Sequence, residues 1–333
     1  MTDRDSTTGT AIELAPARTL VGHTGIVLPR LIVDAGERAS RRFIEFFTAN
    51  IRNRNTRTAY AHAVGQFLNW CETNRLTLDR LDPVTVAAYI EHLIAVRAAP
   101  TVKQHLAAIR MLMDWLVVGQ VLPLNPASSV RGPKHVVKKG KTLVLSAEQA
   151  RQLLDSIDTT TLVGKRDRAL IATMVYSFAR VSAVTNMNVE DYWQNGKRWW
   201  LRLHEKGGKH HEVPAHHLAE EYLDAYLQEA GIAGEKKSPL FRSAAGRSGA
   251  LTTNRVNRRD VWHMIRRRAR SAGLPVRTCC HTFRATGITA YLENGGTIEK
   301  AQTIAAHESP RTTKLYDRTS DEITLDEIER IRI

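Results

Sequence analysis

The sequence predicts a mainly α fold with a small antiparallel β-sheet, an α+β arrangement. Three observations predict it. Apolar residues recur three and four positions apart through most of the chain, as Phe43, Phe46, Phe47 and Ile51 do. Helix-opening signals punctuate that pattern. Asp82-Pro83 pairs an N-cap with a first-position proline, and Ser146-Ala147-Glu148-Gln149 has the capping-box spacing. Between Val189 and Pro214 the period shortens to two around an Asn195-Gly196 turn signal.

Taken in order, residues 1–35 are punctuated by Thr, Gly and Pro and read as a flexible arm. Residues 36–130 read as a helical domain. Its first helix starts near Ser40, and a second carries Tyr60, Val64, Phe67, Leu68 and Cys71. Asp82-Pro83 opens a third, with Val86, Tyr89, Ile90 and Leu93 inward; Thr101 opens a fourth, with Leu106, Ile109, Met113 and Leu116. Residues 131–145 include the run RGPKHVVKKGK, with five basic residues beside Gly and Pro, and read as a basic linker. The second domain, 146–333, opens at the capping box before Leu153, Leu154 and Ile157.

A helix from about Lys165 then carries Leu170, Ile171, Met174 and Val175 into Phe178-Ala179-Arg180-Val181-Ser182. The strands follow: Val189–Trp193, then Lys197–His204 with Trp199, Leu201 and Leu203 on one face, then a strand ending near Pro214. A turn of Glu205-Lys206-Gly207-Gly208-Lys209 joins the last two. Beyond a helix near Glu220–Glu229 and a Gly/Ser loop, Asn254–Ser271 reads as an arginine-rich helix stopped by Gly273. Val256, Val261, Met264, Ile265 and Ala269 form its apolar side; Arg258, Arg259, Arg266, Arg267, Arg268 and Arg270 crowd the rest. A last capping box, Thr324–Glu327, opens an acidic amphipathic segment with Ile328 and Ile331.

Composition narrows the function. A formal net charge of +14 across 333 residues, with a pI of about 10.0, points to a polyanionic partner. The chain has no apolar run approaching the ~20 residues of a membrane-spanning helix. MTDRDSTTGT lacks the apolar core of a signal peptide, so no export is expected. Three cysteines, Cys71, Cys279 and Cys280, make no disulfide framework and suit a reducing cytoplasm. His210-His211-Glu212 looks at first like a metal motif. The position four after His211 is Ala215, however, and Pro214 interrupts, so no metal and no cofactor are expected.

The chemistry-bearing stretch is CCHTFRATGITAYLENGGTIEKAQTIAAHESPRTTKLY, Cys279–Tyr316. His281 and Arg284 lie three apart, on one face of a helix that Gly295-Gly296 stops. Thr297 opens a second helix towards His307, and Ser309-Pro310 opens a third carrying Tyr316. Two imidazoles, a guanidinium and a phenol from closely spaced helices suit gripping and attacking a phosphodiester.

The order H-x-x-R, His, then T-x-x-x-Y resembles the C-terminal signature of the tyrosine recombinases, or phage-type integrases. The segment around Arg180 is similar to that family's G-L-R-I-S-E box. Here Phe178 and Ala179 stand in place of Gly-Leu, and Ala183 where Glu is common. The K-G-x-K turn resembles the family's catalytic-lysine hairpin and places Lys206 at the DNA. The resemblance covers nearly the whole chain. It implies a helical core-binding (SAM-like) DNA-binding domain, a basic linker that crosses the DNA, and a catalytic domain ending in an exchange helix. It implies site-specific recombination (integration, excision or resolution of a mobile element) through a 3′-phosphotyrosyl intermediate.

Tyr316 would be the nucleophile, Arg180 and Arg284 the phosphate clamp, His281 the acid/base partner, His307 a phosphate donor and Lys206 the acid for the 5′ oxygen. Two planar guanidiniums match the non-bridging oxygens, and a phenol, whose ordinary pKa is ~10, needs help to attack. The implied partners are double-stranded DNA and other copies of the chain, as a tetramer on two sites. Arg52, Arg54, Thr56, Arg57, Lys103 and Arg110 are the DNA-contact candidates of the first domain, and Arg258 and Arg259 those of the second. Two other readings share these features: a type IB topoisomerase relaxing supercoils, and a DNA-binding regulator without catalysis.

Overall fold

The computed structural model describes residues 28–136, 140–205, 210–246, 248–317 and 328–329. The chain divides into two compact units between Val136 and Val137.

The first unit is helical: α1 (Arg30–Asp34), α2 (Glu37–Glu45), α3 (Arg54–Thr73), α4 (Pro83–Val96) and α5 (Ala99–Val118). Asp82 accepts the Thr85 amide at 2.7 Å with Pro83 at the first position, and Asn53 accepts the Asn55 and Thr56 amides, so α4 and α3 start on side-chain caps. Phe43, Phe46, Phe47, Val64, Phe67, Leu68, Ile109 and Met113 fill the core. One part of the expected arm belongs to it. Leu28, Leu31 and Ile32 are buried and the Leu31 amide donates to Glu72 Oε1 at 2.9 Å, so the arm as read to residue 35 extends too far. A single helical turn is too short to show a period, yet with Leu28 just before it the turn adds three side chains to the core.

The second unit holds α6 (Ala147–Asp155), α7 (Leu162–Tyr176), α8 (Val181–Thr185), β1 (Tyr192–Asn195), β2 (Arg198–His204), β3 (His210–Pro214) and α9 (His217–Ala230). It continues with β4 (Arg242–Ala244), β5 (Leu251–Arg255), α10 (Arg258–Ser271), α11 (Cys280–Glu293), α12 (Ile298–Ile304) and α13 (Pro310–Lys314). The sheet runs β1-β2-β3, antiparallel, with Leu201 opposite Tyr192 and Val213. Ser146 caps α6 in the capping box read from the sequence.

Three boundaries differ from the sequence reading. Residues 189–191 form a 3-10 turn, because the Asp191 carboxylate turns back to accept the Asn188 amide at 2.8 Å. Asn254 and Arg255 end strand β5, and Asn257 caps α10 by accepting the Asp260 amide at 2.9 Å. The β4–β5 ladder escaped the sequence reading because its strands are short and polar, with no alternation to detect. Gly140 and Leu145, assigned to the linker, are tied into this unit: the Gly140 amide donates to Leu315 O at 2.9 Å, and buried Leu145 donates to Thr286 Oγ1 at 3.0 Å.

A buried ion network orients α10. Asp167 on α7 is fully buried and accepts two bonds from Arg268, Nε at 3.0 Å and Nη2 at 2.8 Å, besides two from Arg166. Arg268 therefore ties α10 to α7 rather than standing on the exposed basic face. Asp167→Ala leaves two guanidiniums without their anion and is expected to lower stability by about 3–5 kcal/mol. Urea unfolding measures it, and a loss below about 1 kcal/mol, the scale of a surface pair, would refute the role.

Candidate active site

Arg180 reaches its place through an unusual turn. Helix α7 ends at Tyr176, and Phe178 takes a left-handed backbone, φ +54°, before Arg180 becomes the N-cap of α8. A side chain in that conformation costs roughly 1–2 kcal/mol, which glycine escapes. Burial of the Phe178 ring with Ala285, Ile288, Leu292 and Tyr316 offsets it. The turn leaves the Phe178 carbonyl accepting from Arg284 Nη1.

Helix α11 carries His281 and Arg284. Gly287 lets it lie against α7: a Cβ there would sit 2.1 Å from the Val175 carbonyl oxygen. Arg284 is 1% exposed, and its Nη2 donates to Ala305 O at 2.5 Å. Carbonyls from two distant segments thus fix one guanidinium.

His307 follows a helix stop of Schellman form. Ala306 is left-handed at φ +47°, its amide donates to Thr303 O, and the His307 amide reaches Gln302 O at 3.1 Å. The ring is buried, with Nδ1 2.9 Å from Thr313 Oγ1. Ser309 caps α13, whose last turn delivers Tyr316. Thr289 on α11 donates to the Tyr316 carbonyl at 2.8 Å. The phenol oxygen lies 2.9 Å from His281 Nε2, and the His307 ring lies nearly parallel to the phenol, 6° between planes and 5.8 Å between centroids.

Charge in this cluster is unbalanced. Burial, then the positive charges of Arg284, Arg180 and His281, push His307 down to about 3. Surrounding protein, then Arg284 and Arg180, also lower His281, although that residue keeps a solvent-exposed edge. Burial and the neighbouring Arg180 bring Arg284 down to about 10, still charged at neutral pH. Two neutral imidazoles therefore flank the phenol at pH 7, and both feel the charges of two nearby guanidiniums.

The His307 shift has a consequence for stability. An imidazole neutral in the fold but free to protonate when unfolded makes the unfolded chain the better proton acceptor. Its stability contribution is intact above the ordinary value near 6.5 and is lost as pH falls from there towards about 3. His307→Gln is expected to flatten the acid limb of the DNA-free protein's stability, by at most about 1.4 kcal/mol per pH unit. Urea midpoints from pH 7 to 4 measure it; identical slopes in both proteins would refute it.

Five of the six catalytic candidates, Arg180, His281, Arg284, His307 and Tyr316, fall in this one cluster. Lys206 lies outside the described residues, but its neighbour Glu205 is buried and accepts from Arg180 Nη1. Sequence reasoning missed Glu205 and Thr313: each lies within a stretch it singled out, but at a position that the lysine turn and the T-x-x-x-Y spacing leave unspecified. The DNA-contact candidates divide. Arg52, Arg54, Lys103, Arg258 and Arg259 are exposed and Thr56 is half-buried. Arg57 donates twice to Ile51 O, and half-buried Arg110 bonds the carbonyls of Ala127 and Val130, so both hold their own unit together. The histidines in and just after the apparent metal motif are also engaged: His211 Nε2 lies 2.9 Å from Ile304 O, and His216 caps α9 and stacks on Tyr176. Among the described residues no group of three or more His, Cys, Asp or Glu is placed to hold a metal ion.

The pattern of the Phage integrase family matches residues 144–322, which enclose the whole cluster and Lys206. That is more than half of the chain. The chain belongs to the phage integrase family. The pattern of the integrase N-terminal SAM-like domain matches residues 40–121 of this recombinase, within the helical unit. Among similar proteins are the tyrosine recombinase XerC of Chlamydia muridarum, 29% identical over 69% of this chain and 70% of that one, and XerD of Listeria innocua, 25% identical over 79% and 87%. Among solved structures, the XerH site-specific recombinase bound to difH has a TM-score of 0.65 at 15% identity, covering 91% of this chain and 95% of that one. A lambda integrase tetramer bound to a Holliday junction has a TM-score of 0.66 at 16% identity, covering 86% and 79%. This recombinase is a DNA cleaving and joining enzyme that acts at specific sites through a tyrosine. None of its described helices is long and apolar enough to cross a membrane.

Proposed function

We propose that Tyr316 is the nucleophile of a recombinase that integrates, excises or resolves a mobile element, acting in the cytoplasm on double-stranded DNA as a tetramer holding two sites. The observation that carries the assignment is the Tyr316 hydroxyl, 2.9 Å from His281 Nε2 and beside the buried Arg284. The phenol oxygen attacks phosphorus, and the 5′ oxygen leaves. His281, neutral at pH 7, takes the phenol proton at Nε2. Arg180 and Arg284 hold the non-bridging oxygens, His307 donates to one of them, and Lys206 protonates the departing oxygen. The 3′-phosphotyrosyl bond keeps the energy of the broken phosphodiester, and the reverse attack rejoins the strand. The helical unit contributes Arg52, Arg54 and Lys103 to DNA contact, and α10 contributes Arg258 and Arg259. Incubation with duplexes carrying the ends of the element's own DNA tests the reading. Covalent protein–DNA adducts and exchanged strands are expected; relaxation of supercoils without exchanged products would contradict it.

Assembly rests on the C-terminal segment, most of which lies outside the described residues; Ile328 is 51% exposed. Leu325, Ile328 and Ile331 recur at helical spacing beside Asp326, Glu327 and Glu329. A helix of that length would need a surface to dock on, and a neighbouring protomer in cyclic exchange would provide one. Deleting residues 323–333 is expected to preserve folding and single-site binding while abolishing synapsis and strand exchange. Circular dichroism, gel shift and recombination assays test it. Unfolding would place the segment in its own core, and full recombination would remove its assembly role.

A further inference from the structure

We infer that Glu205 is a positioning residue for cleavage: from beneath, its carboxylate fixes the Arg180 guanidinium in the orientation that receives the scissile phosphate. The inference rests on the phosphate-clamp reading of Arg180. The two side chains are buried very unequally: the Glu205 side chain is 4% exposed and that of Arg180 is 35% exposed. The carboxylate therefore lies on the protein side of the guanidinium and leaves the outer edge open. An anion seated over the phosphate-binding edge would show the reverse.

Two further observations support this. Glu205 raises the pKa of buried Arg284, against the stronger effects of burial and of Arg180. One carboxylate thus acts on both guanidiniums and reduces the repulsion between two cations that must converge on one phosphate. Local sequence offers no substitute, since Ala183, three residues after Arg180, is buried and has no polar side-chain atom. Glu205 comes instead from the residue just after β2, 25 positions from Arg180, and immediately precedes Lys206. The ion pair therefore also anchors the chain at the residue before the proposed acid. A long flexible arginine has rotamers to lose; holding it before DNA arrives removes that loss from the reacting complex.

The test compares wild type with Glu205→Ala, Glu205→Gln and Glu205→Asp on a suicide substrate, measuring single-turnover adduct formation and site affinity separately. Glu205→Ala is expected to slow adduct formation about 100-fold with affinity within about threefold. Glu205→Gln and Glu205→Asp, which keep an acceptor for Arg180, are expected to recover at least tenfold of the loss. Adduct formation within threefold of wild type in Glu205→Ala would overturn the proposal. Faster cleavage would overturn it too, because the carboxylate would then be occupying the phosphate's seat. A parallel fall in affinity and melting temperature, with no recovery in Gln or Asp, would reduce Glu205 to a fold residue. If wild type itself forms no adduct, the reading of Arg180 and Tyr316 fails first, and this proposal falls with it.

Discussion

Replacing Tyr316 by Phe is expected to abolish the covalent protein–DNA adduct while leaving the fold intact and DNA affinity within a few-fold of wild type. Only one oxygen is removed. The Phe ring keeps the contacts with Phe178 and Ile288, and the backbone bond from Thr289 to residue 316 does not depend on the hydroxyl. The oxygen's partner, His281 Nε2, keeps a solvent-exposed edge, so water replaces the lost bond at little cost. Chemistry, by contrast, would lose the proposed nucleophile, and cleavage is expected to fall by at least about three orders of magnitude. Denaturing gels of a suicide substrate read the adduct and gel shift reads the affinity. An adduct retained by the Phe variant would sink the assignment of Tyr316.

Arg180→Ala is expected to lower cleavage by roughly two to three orders of magnitude, the scale of losing one preorganised donor to the transition-state oxygens. Affinity changes far less, because many other Lys and Arg contacts carry the phosphate attraction. The variant also strands the Glu205 carboxylate, buried with its bonded cation gone, so a modest loss of stability accompanies the kinetic one. Arg180→Lys separates the two effects: it restores a cation for Glu205 but not the planar two-donor fork, and is expected to regain stability more than rate. Unchanged cleavage with collapsed binding would make Arg180 a docking residue instead.

Much of the site could be read in advance because its motifs are local. His281 and Arg284 share a face by helical spacing alone, and Thr297 and Ser309 cap the helices they were expected to open. The expected hairpin is present too, although its two-residue loop is Gly196-Lys197, with Gly196 at φ +61°. Phe178 was visible in the sequence as a departure from a glycine pattern; the left-handed backbone that makes glycine usual there was not. The arginines show the limit most sharply. Arg268 and Arg259 look alike on α10, yet one binds buried Asp167 and the other is exposed. Nothing local distinguishes them, because Asp167 is 101 residues away from Arg268.

By itself the sequence determined which reactive groups this recombinase has, their order, and the helices that carry them, since caps, glycine stops and side-chain spacing act within one or two turns. Tertiary structure alone decided the states of those groups: Arg284 desolvated and held by carbonyls of Phe178 and Ala305, His307 neutral beside two guanidiniums, and Arg180 backed by Glu205. Protonation and orientation depend on local dielectric and on charges a few ångströms away, and those neighbours come from segments that only folding brings together.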